Sequence, residues 1–228
     1  MLGLLARRKG PLGEQARTLG VVCTTYAVDV GDAAAVRAAA EDFMARHGVP
    51  DVVIANAGVS AGTSGGEAED LAVLDRILRT NVVGLAASLQ PFVAPMRARR
   101  AGILAGIASV AGFRGLPGAG AYSASKAAAI AWLESLRVEL TGSGVAVVTV
   151  CPGYIDTPMT RVNRYPMPFM LPADEGARRM ARAIDTRRSW AVVPWQMAVI
   201  GWLMRRMPNW VYDRALKRAP RKTRRLPL

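Results

Sequence analysis

The sequence predicts an α/β chain built around a doubly wound parallel sheet, and three observations carry that reading. Short apolar runs alternate with helical stretches of about ten residues or more, a pattern that specifies parallel pairing through right-handed crossovers. A length of 228 residues, 51% of them hydrophobic, suits one domain with a full core at roughly 100 to 200 residues per domain. The unusual residues each follow an apolar run: Arg7-Arg8, Asp29, Asn56-Ala57-Gly58, Ser109 and Pro152-Gly153. In a doubly wound sheet these positions share one edge, beyond the carboxyl ends of the strands, where ligands bind.

Taken in order, Met1 to Leu5 reads as a strand, then Ala-Arg-Arg-Lys-Gly and a fragmentary helix. Val21 to Val30 reads as a second strand, and Asp32 caps a helix running to His47. The strand Asp51 to Ala55 breaks at Asn56-Ala57-Gly58-Val59, and Ser60 to Gly66 is a loop. A long helix from about Glu69 to Arg100 carries Asn81, and Gly102 to Ala108 is the next strand. A helix from Gly120 to about Thr141 and the strand Val145 to Cys151 follow, closing in Pro152-Gly153-Tyr154-Ile155-Asp156-Thr157-Pro158. Pro172 begins an arginine-rich helix to about Ile184, and Ala191 to Val193 reads as the last strand.

The chemistry concentrates between Ser109 and Lys126. Tyr122 and Lys126 stand four residues apart, on one face of the helix, with their functional ends free to meet. An ammonium beside a phenol favours phenolate, which makes a group of ordinary pKa about 10 a usable proton donor and acceptor. Ser109, ending a buried strand, offers a hydroxyl to the same pocket. The pair is common by chance, but lysine is scarce here: Lys9, Lys126, Lys217 and Lys222 are the four among thirty basic residues.

Composition excludes other classes. One histidine, His47, rules out a histidine-based metal cluster and makes a serine-hydrolase triad improbable. Cys23 and Cys151 sit in apolar runs without metal or disulfide spacing, so a reducing cytoplasm is the expected location. The net charge of +13 is largely C-terminal, and no nucleic-acid motif accompanies it. No nucleic-acid partner is therefore expected.

In Asp29-Val30, Asn56-Ala57-Gly58, Asn81, Ser109, Tyr122 with Lys126, and Pro152-Gly153 with Thr157, the sequence resembles the short-chain dehydrogenase/reductase family. The resemblance extends over essentially the whole length and implies a Rossmann-like fold and NAD(P)-dependent oxidoreductase activity on a ketone or aldehyde and its alcohol. It implies Tyr122 as general acid and base, and Lys126 as the residue that lowers its pKa and holds the nicotinamide ribose. Ser109 would bond the substrate oxygen, and Asn81 would hold the helix geometry and a water of the proton relay. Asp29 and Val30 would meet the adenine, Asn56, Ala57 and Gly58 would line the cofactor, and Pro152, Gly153, Ile155 and Thr157 would bracket the nicotinamide. Read from the residues alone, Asp29 serves equally as a strand-end cap and Asn81 as a mid-helix polar residue. Arg7 and Arg8 follow the first strand, where a guanidinium suits a 2′-phosphate, and so predict NADP in preference to NAD.

The family's opening strand and Thr-Gly-x-x-x-Gly-x-Gly turn, which lays a pyrophosphate on a helix N-terminus, have no counterpart here. Gly3, Gly10, Gly13 and Gly20 do not reproduce the spacing. The expected fold is accordingly N-terminally truncated by roughly 30 residues, a strand-turn-helix-sized piece, with a central strand missing beside Met1 to Leu5. A start codon placed too far downstream is the favoured account, before a true fragment or a degenerate homologue, and weak dinucleotide binding is expected. The alternative function is a non-catalytic remnant acting as a scaffold or membrane-peripheral binding protein.

The domain expectation is residues 1–194 as the sheet domain, with its first β-α unit missing, and 195–228 as an apolar and basic extension. The run from Pro194 to Arg206 is too short to span a bilayer. Its Trp and Met residues with flanking arginines suit an interfacial helix on anionic lipid, and a pocket lid or dimer surface suits them as well. With Tyr154, Met159 and Met167 to Met170 as lining, an apolar small-molecule carbonyl or alcohol substrate is expected, in a homo-oligomer.

Overall fold

The computed structural model describes residues 1–163 and 165–224. Arg225 of the basic C-terminal run lies outside the described residues.

Strand β1 (Leu2–Ala6) leads into helix α1 (Lys9–Thr18), and β2 (Cys23–Ala27) pairs with β1 in parallel register, Leu2 opposite Cys23. The second strand is shorter than expected because Asp29 turns the chain, its carboxylate accepting from Gly31 N–H at 2.9 Å and its carbonyl from Asp32 N–H at 3.0 Å. Helix α2 (Ala33–His47) starts where Asp32 accepts the Ala35 N–H at 3.0 Å. It stops at Gly48, whose φ of 78° suits glycine and whose N–H returns to Met44.

Beyond it lie β3 (Val52–Ala55), α3 (Asp70–Leu78), a π-helical turn Arg79–Val83, and α4 (Gly84–Arg99). The three helical pieces run on without a break, so the single long helix read from the sequence is present with one wide turn inside it. Strand β4 (Gly102–Ile107), α5 (Gly120–Glu139), β5 (Val145–Pro152), the short α6 (Pro158–Arg161), α7 (Ala173–Asp185) and β6 (Trp190–Val193) complete the alternation. Helices α8 (Gln196–Arg206) and α9 (Asn209–Leu216) follow.

All strand pairing is parallel, but the described strands form two sheets, β1-β2 and β3-β4-β5-β6. Phe43, late in α2, packs on Gly3 at the start of β1, while Val30, just before α2, packs on Gly84 in α4, beside the π turn. Between β1 and β3 is a cavity of about 640 Å³ lined by Gly3 to Arg8 and Val52 to Val59. Val52 and Ile54 are 40% and 49% exposed there, although β4 beside them is almost wholly buried. Among the described residues the sheet is thus interrupted between β1 and β3.

The core lies where α4 and α5 cover the larger sheet, with Leu89, Met96, Leu104, Leu133 and Val147 packed together. Gly106 in β4 permits that contact, since a Cβ would come within 2.4 Å of Leu133. The C-terminal helices are fastened to the body by Arg114. Its guanidinium donates to the carbonyls of Met204 and Met207 and to Asn209 Oδ1, and stacks 3.8 Å from the Tyr212 ring centroid.

Candidate active site

The carboxyl end of β4 organises the site. Ser109 follows it in extended conformation, accepts the Ala111 N–H at 3.1 Å to cap a short 3₁₀ turn (Val110–Gly112), and reaches Pro152 O at 3.4 Å. That turn lies flat on α5 because residue 112 is glycine; a Cβ would come within 2.7 Å of the Lys126 backbone. Tyr122 and Lys126 therefore project from the first two turns of α5 beside Ser109.

Asn81 occupies the π turn and is fully buried. Its Oδ1 accepts the Val59 N–H at 2.8 Å, and its Nδ2 donates to Val59 O and Ser125 Oγ, both at 2.9 Å. Ser125 Oγ in turn donates to Tyr122 O at 2.8 Å. A continuous hydrogen-bonded path thus ties the β3 exit loop to the turn that carries Tyr122. Gly58 is the point of closest approach, where an added Cβ would lie 3.4 Å from Asn81 Oδ1 and 3.6 Å from Lys126 Nζ.

The Lys126 Nζ donates to Ile107 O at 2.8 Å and stands over the Tyr122 ring, 5.9 Å from its centroid. Burial is the larger influence on both groups, raising the Tyr122 phenol above its usual range and pushing the Lys126 ammonium down to about 8. The contribution that lowers the phenol comes from its hydrogen bond with Ser109.

Arg7, Arg8, Val30, Asn56, Ala57 and Gly58 all line the cavity between β1 and β3, on the other side of Gly58 from Tyr122. Asp29 is not among its lining residues and makes a loose ion pair with Arg7 at 3.8 Å. Pro152 and Gly153 end β5 near Ser109, with Gly153 N–H donating to Val193 O at 2.8 Å. Ile155 packs on Gly176 in α7. Thr157 is engaged in a capping box with Thr160 at the start of α6. Most of the expected residues thus fall in two groups, a reactive cluster at β4 and α5 and a cavity at β1 and β3, with Asp29, Ile155 and Thr157 outside both.

Three residues of the site were missed in the sequence. Ser125 carries the link from Asn81 to Tyr122, Tyr165 stacks edge-on to Tyr154 with centroids 6.4 Å apart, and Lys222 returns from the C-terminal tail to stand 5.5 Å from the Tyr122 ring centroid. The scarcity of lysine that singled out Lys126 applied equally to Lys222.

A family profile described as short chain dehydrogenase matches residues 3–167. An uncharacterised oxidoreductase of Myxococcus xanthus is 37% identical over 207 residues, covering 91% of this chain and 81% of the relative. An acetoacetyl-CoA reductase of Synechocystis is 33% identical over 180 residues, covering 79% of this chain and 72% of the relative. Among solved structures, a short chain dehydrogenase/reductase from Burkholderia phymatum in complex with NAD aligns over 99% of this chain and 88% of its own, with 25% identity and a TM-score of 0.77.

Proposed function

The chain belongs to the short-chain dehydrogenase family, an oxidoreductase family with a Rossmann fold, and from that footing we propose that it interconverts an apolar ketone or aldehyde and its alcohol with NADP(H). The observation that carries the proposal is the convergence of Ser109, Tyr122, Lys126 and Asn81 at the carboxyl end of β4.

Part of a dinucleotide site is present: at Gly58 the backbone runs beside Asn81 and Lys126, and Arg7 and Arg8 line the cavity between β1 and β3. Arg7 and Arg8 would hold a 2′-phosphate, Asn56 to Gly58 would offer backbone at close approach, and Lys126 would meet the nicotinamide ribose. When bound, the nicotinamide supplies or accepts the hydride.

The protein's part is proton transfer and alignment. Tyr122 Oη gives its proton to the carbonyl oxygen in reduction and takes it back in oxidation. A phenol raised by burial holds its proton until negative charge develops on the substrate oxygen. Ser109 Oγ donates a second hydrogen bond to that oxygen, and its position is fixed by the Ala111 N–H. Asn81 positions Tyr122 through Ser125.

Tyr122→Phe tests the proposal. NADPH-dependent turnover of a panel of aryl and alkyl ketones should fall at least about a hundredfold, the usual worth of a positioned general acid, with NADPH affinity within twofold of the parent. Unchanged turnover would overturn it.

A specific feature supports a membrane-peripheral role as well. Trp195, Val199, Trp202, Leu203 and Trp210, on or just before α8 and α9, are all exposed, and Arg206 lies over Trp202 at 4.4 Å. Indole rings beside arginines suit the interface of an anionic bilayer, and a second copy of the chain is the competing occupant. Two free cysteines, one of them buried, are consistent with the cytoplasmic side of such a membrane.

A further inference from the structure

The C-terminal tail folds back over the reactive cluster and brings a second lysine to it. Gly62 N–H donates to Thr223 O at 2.9 Å, and the contact is so close that a Cβ on Gly62 would lie 2.2 Å from Lys222 O. Gly118 meets Arg221 in the same way, at 2.7 Å from an added Cβ. Arg224 anchors the end of this strap, with Nε 3.2 Å from Asp70 and Nη2 3.7 Å from Glu67. Two glycines and two ion pairs, far apart in sequence, thus fix residues 221 to 224 beside the β3 exit loop and the start of α5.

Lys222 is the member of the strap that points inward. Its Nζ donates to the buried Ser60 Oγ at 2.7 Å and stands 5.5 Å from the Tyr122 ring centroid. It approaches from the β3 exit loop, whereas Lys126 is held from β4 by Ile107. Among the described residues no carboxylate pairs with Lys222, and burial holds its ammonium down to about 8. Half-burying an ammonium without a counter-charge carries a cost, and the strap that imposes it is itself well anchored. An anion delivered to the pocket would offset it.

We propose that Lys222 and Ser60 form a subsite for a carboxylate carried by the carbonyl substrate, with Lys222 as the specificity-determining residue. The substrate then has an apolar body against Tyr154 and Tyr165, a carbonyl at Tyr122 and Ser109, and a carboxylate at the strap. This inference rests on the carbonyl-reducing reading above.

The test is calorimetric titration of the 228-residue chain with 4-acetylbenzoate and with its uncharged methyl ester. The acid should bind at least tenfold more tightly than the ester. Lys222→Met should abolish that preference, with ester affinity within twofold of the parent, because Thr223 O and Arg224 still hold the strap. Lys222→Arg should retain most of the preference, and Ser60→Ala should reduce it. Equal affinities in the parent, no binding of either compound, or a preference that survives Lys222→Met would each overturn the subsite. NADPH turnover is read in parallel. Carboxylate preference without turnover would defeat the hydride-transfer reading and leave the subsite standing, and turnover without the preference would do the reverse.

Discussion

Asn81 and Val59 exchange a reciprocal pair of hydrogen bonds, Val59 N–H to Asn81 Oδ1 at 2.8 Å and Asn81 Nδ2 to Val59 O at 2.9 Å. A helical side chain thus takes up both hydrogen-bonding groups of a residue in the loop leaving β3. The same amide serves Ser125, so three polar groups depend on one residue. Asn81→Ala leaves the two Val59 groups without that partner and removes one bond from Ser125, which keeps Tyr122 O, at about 1 to 3 kcal/mol per unsatisfied group before relaxation. We expect a loss of about 3 kcal/mol, measured by urea denaturation, with the slope of the transition unchanged. A loss below 1 kcal/mol would show that solvent reaches Val59.

Stability should rise between pH 7 and 9. Lys126 is protonated in both states at pH 7; near 8 the folded chain releases that proton while the unfolded chain, with lysine near 10.4, keeps it. The unfolded state then binds more protons, so stability increases with pH. For a folded value of about 8 the gain from pH 7 to 9 is about 1.4 kcal/mol. Cys151, pushed up to about 12 by burial, acts in the opposite sense once an unfolded thiol ionises near 8.5, and it takes back part of the gain. Denaturation of the parent and of Lys126→Met at pH 7, 8 and 9 isolates the lysine; a parent curve parallel to that of the variant would refute the assignment.

The interruption of the sheet predicts an asymmetry between two valines. Val52→Thr and Val148→Thr are the same nearly isosteric change, at 40% and 0% exposure. A hydroxyl buried beside Val148 costs about 1 to 3 kcal/mol, whereas at Val52 water can bond to it, and the cost should stay within about 0.5 kcal/mol. Equal costs at the two positions would mean that the edges of β1 and β3 are covered in solution.

How much of this was legible in the sequence depended on the range of the interaction. Tyr122 and Lys126 were found because a helix fixes a spacing of four locally, and Asp32 because a cap acts within three residues. The partner of Lys126 was not, because the Ile107 carbonyl belongs to another element and competes with the phenol only once β4 and α5 pack. The π turn at Asn81 was hidden by an unbroken helical pattern. Lys222 was hidden because the tail has no periodicity, and its position is set by Gly62 and Gly118 more than a hundred residues upstream.

The exposed indoles of α8 and α9 predict salt-sensitive membrane binding. The chain should pellet with vesicles containing anionic phosphatidylserine at low ionic strength and be released as salt screens the arginines. Replacing Trp195, Trp202 and Trp210 by Ser should abolish pelleting without changing stability by more than about 0.5 kcal/mol, the usual limit for exposed positions. If the parent fails to pellet yet sediments as a dimer that the triple variant dissociates, the surface belongs to a second copy.

Cofactor preference should respond most to Arg8. Both arginines line the cavity, but Arg7 is shared with Asp29 at 3.8 Å, while Arg8 has no ion pair among the described residues. The Arg7–Asp29 pair is half exposed on both sides and so contributes little to stability, about 0 to 1 kcal/mol. Charge reversal at Arg8 therefore acts on the ligand more than on the fold. Arg8→Glu places a carboxylate where the 2′-phosphate would lie, repelling it and offering an acceptor to a free ribose hydroxyl. The ratio of kcat/KM for NADPH to that for NADH should fall at least tenfold, through both a weaker NADPH and a stronger NADH. Arg7→Glu should produce a smaller change, because Asp29 already offsets part of the charge it removes. A parent enzyme that uses NADH and NADPH equally at matched concentrations would remove the basis for assigning either arginine to the phosphate.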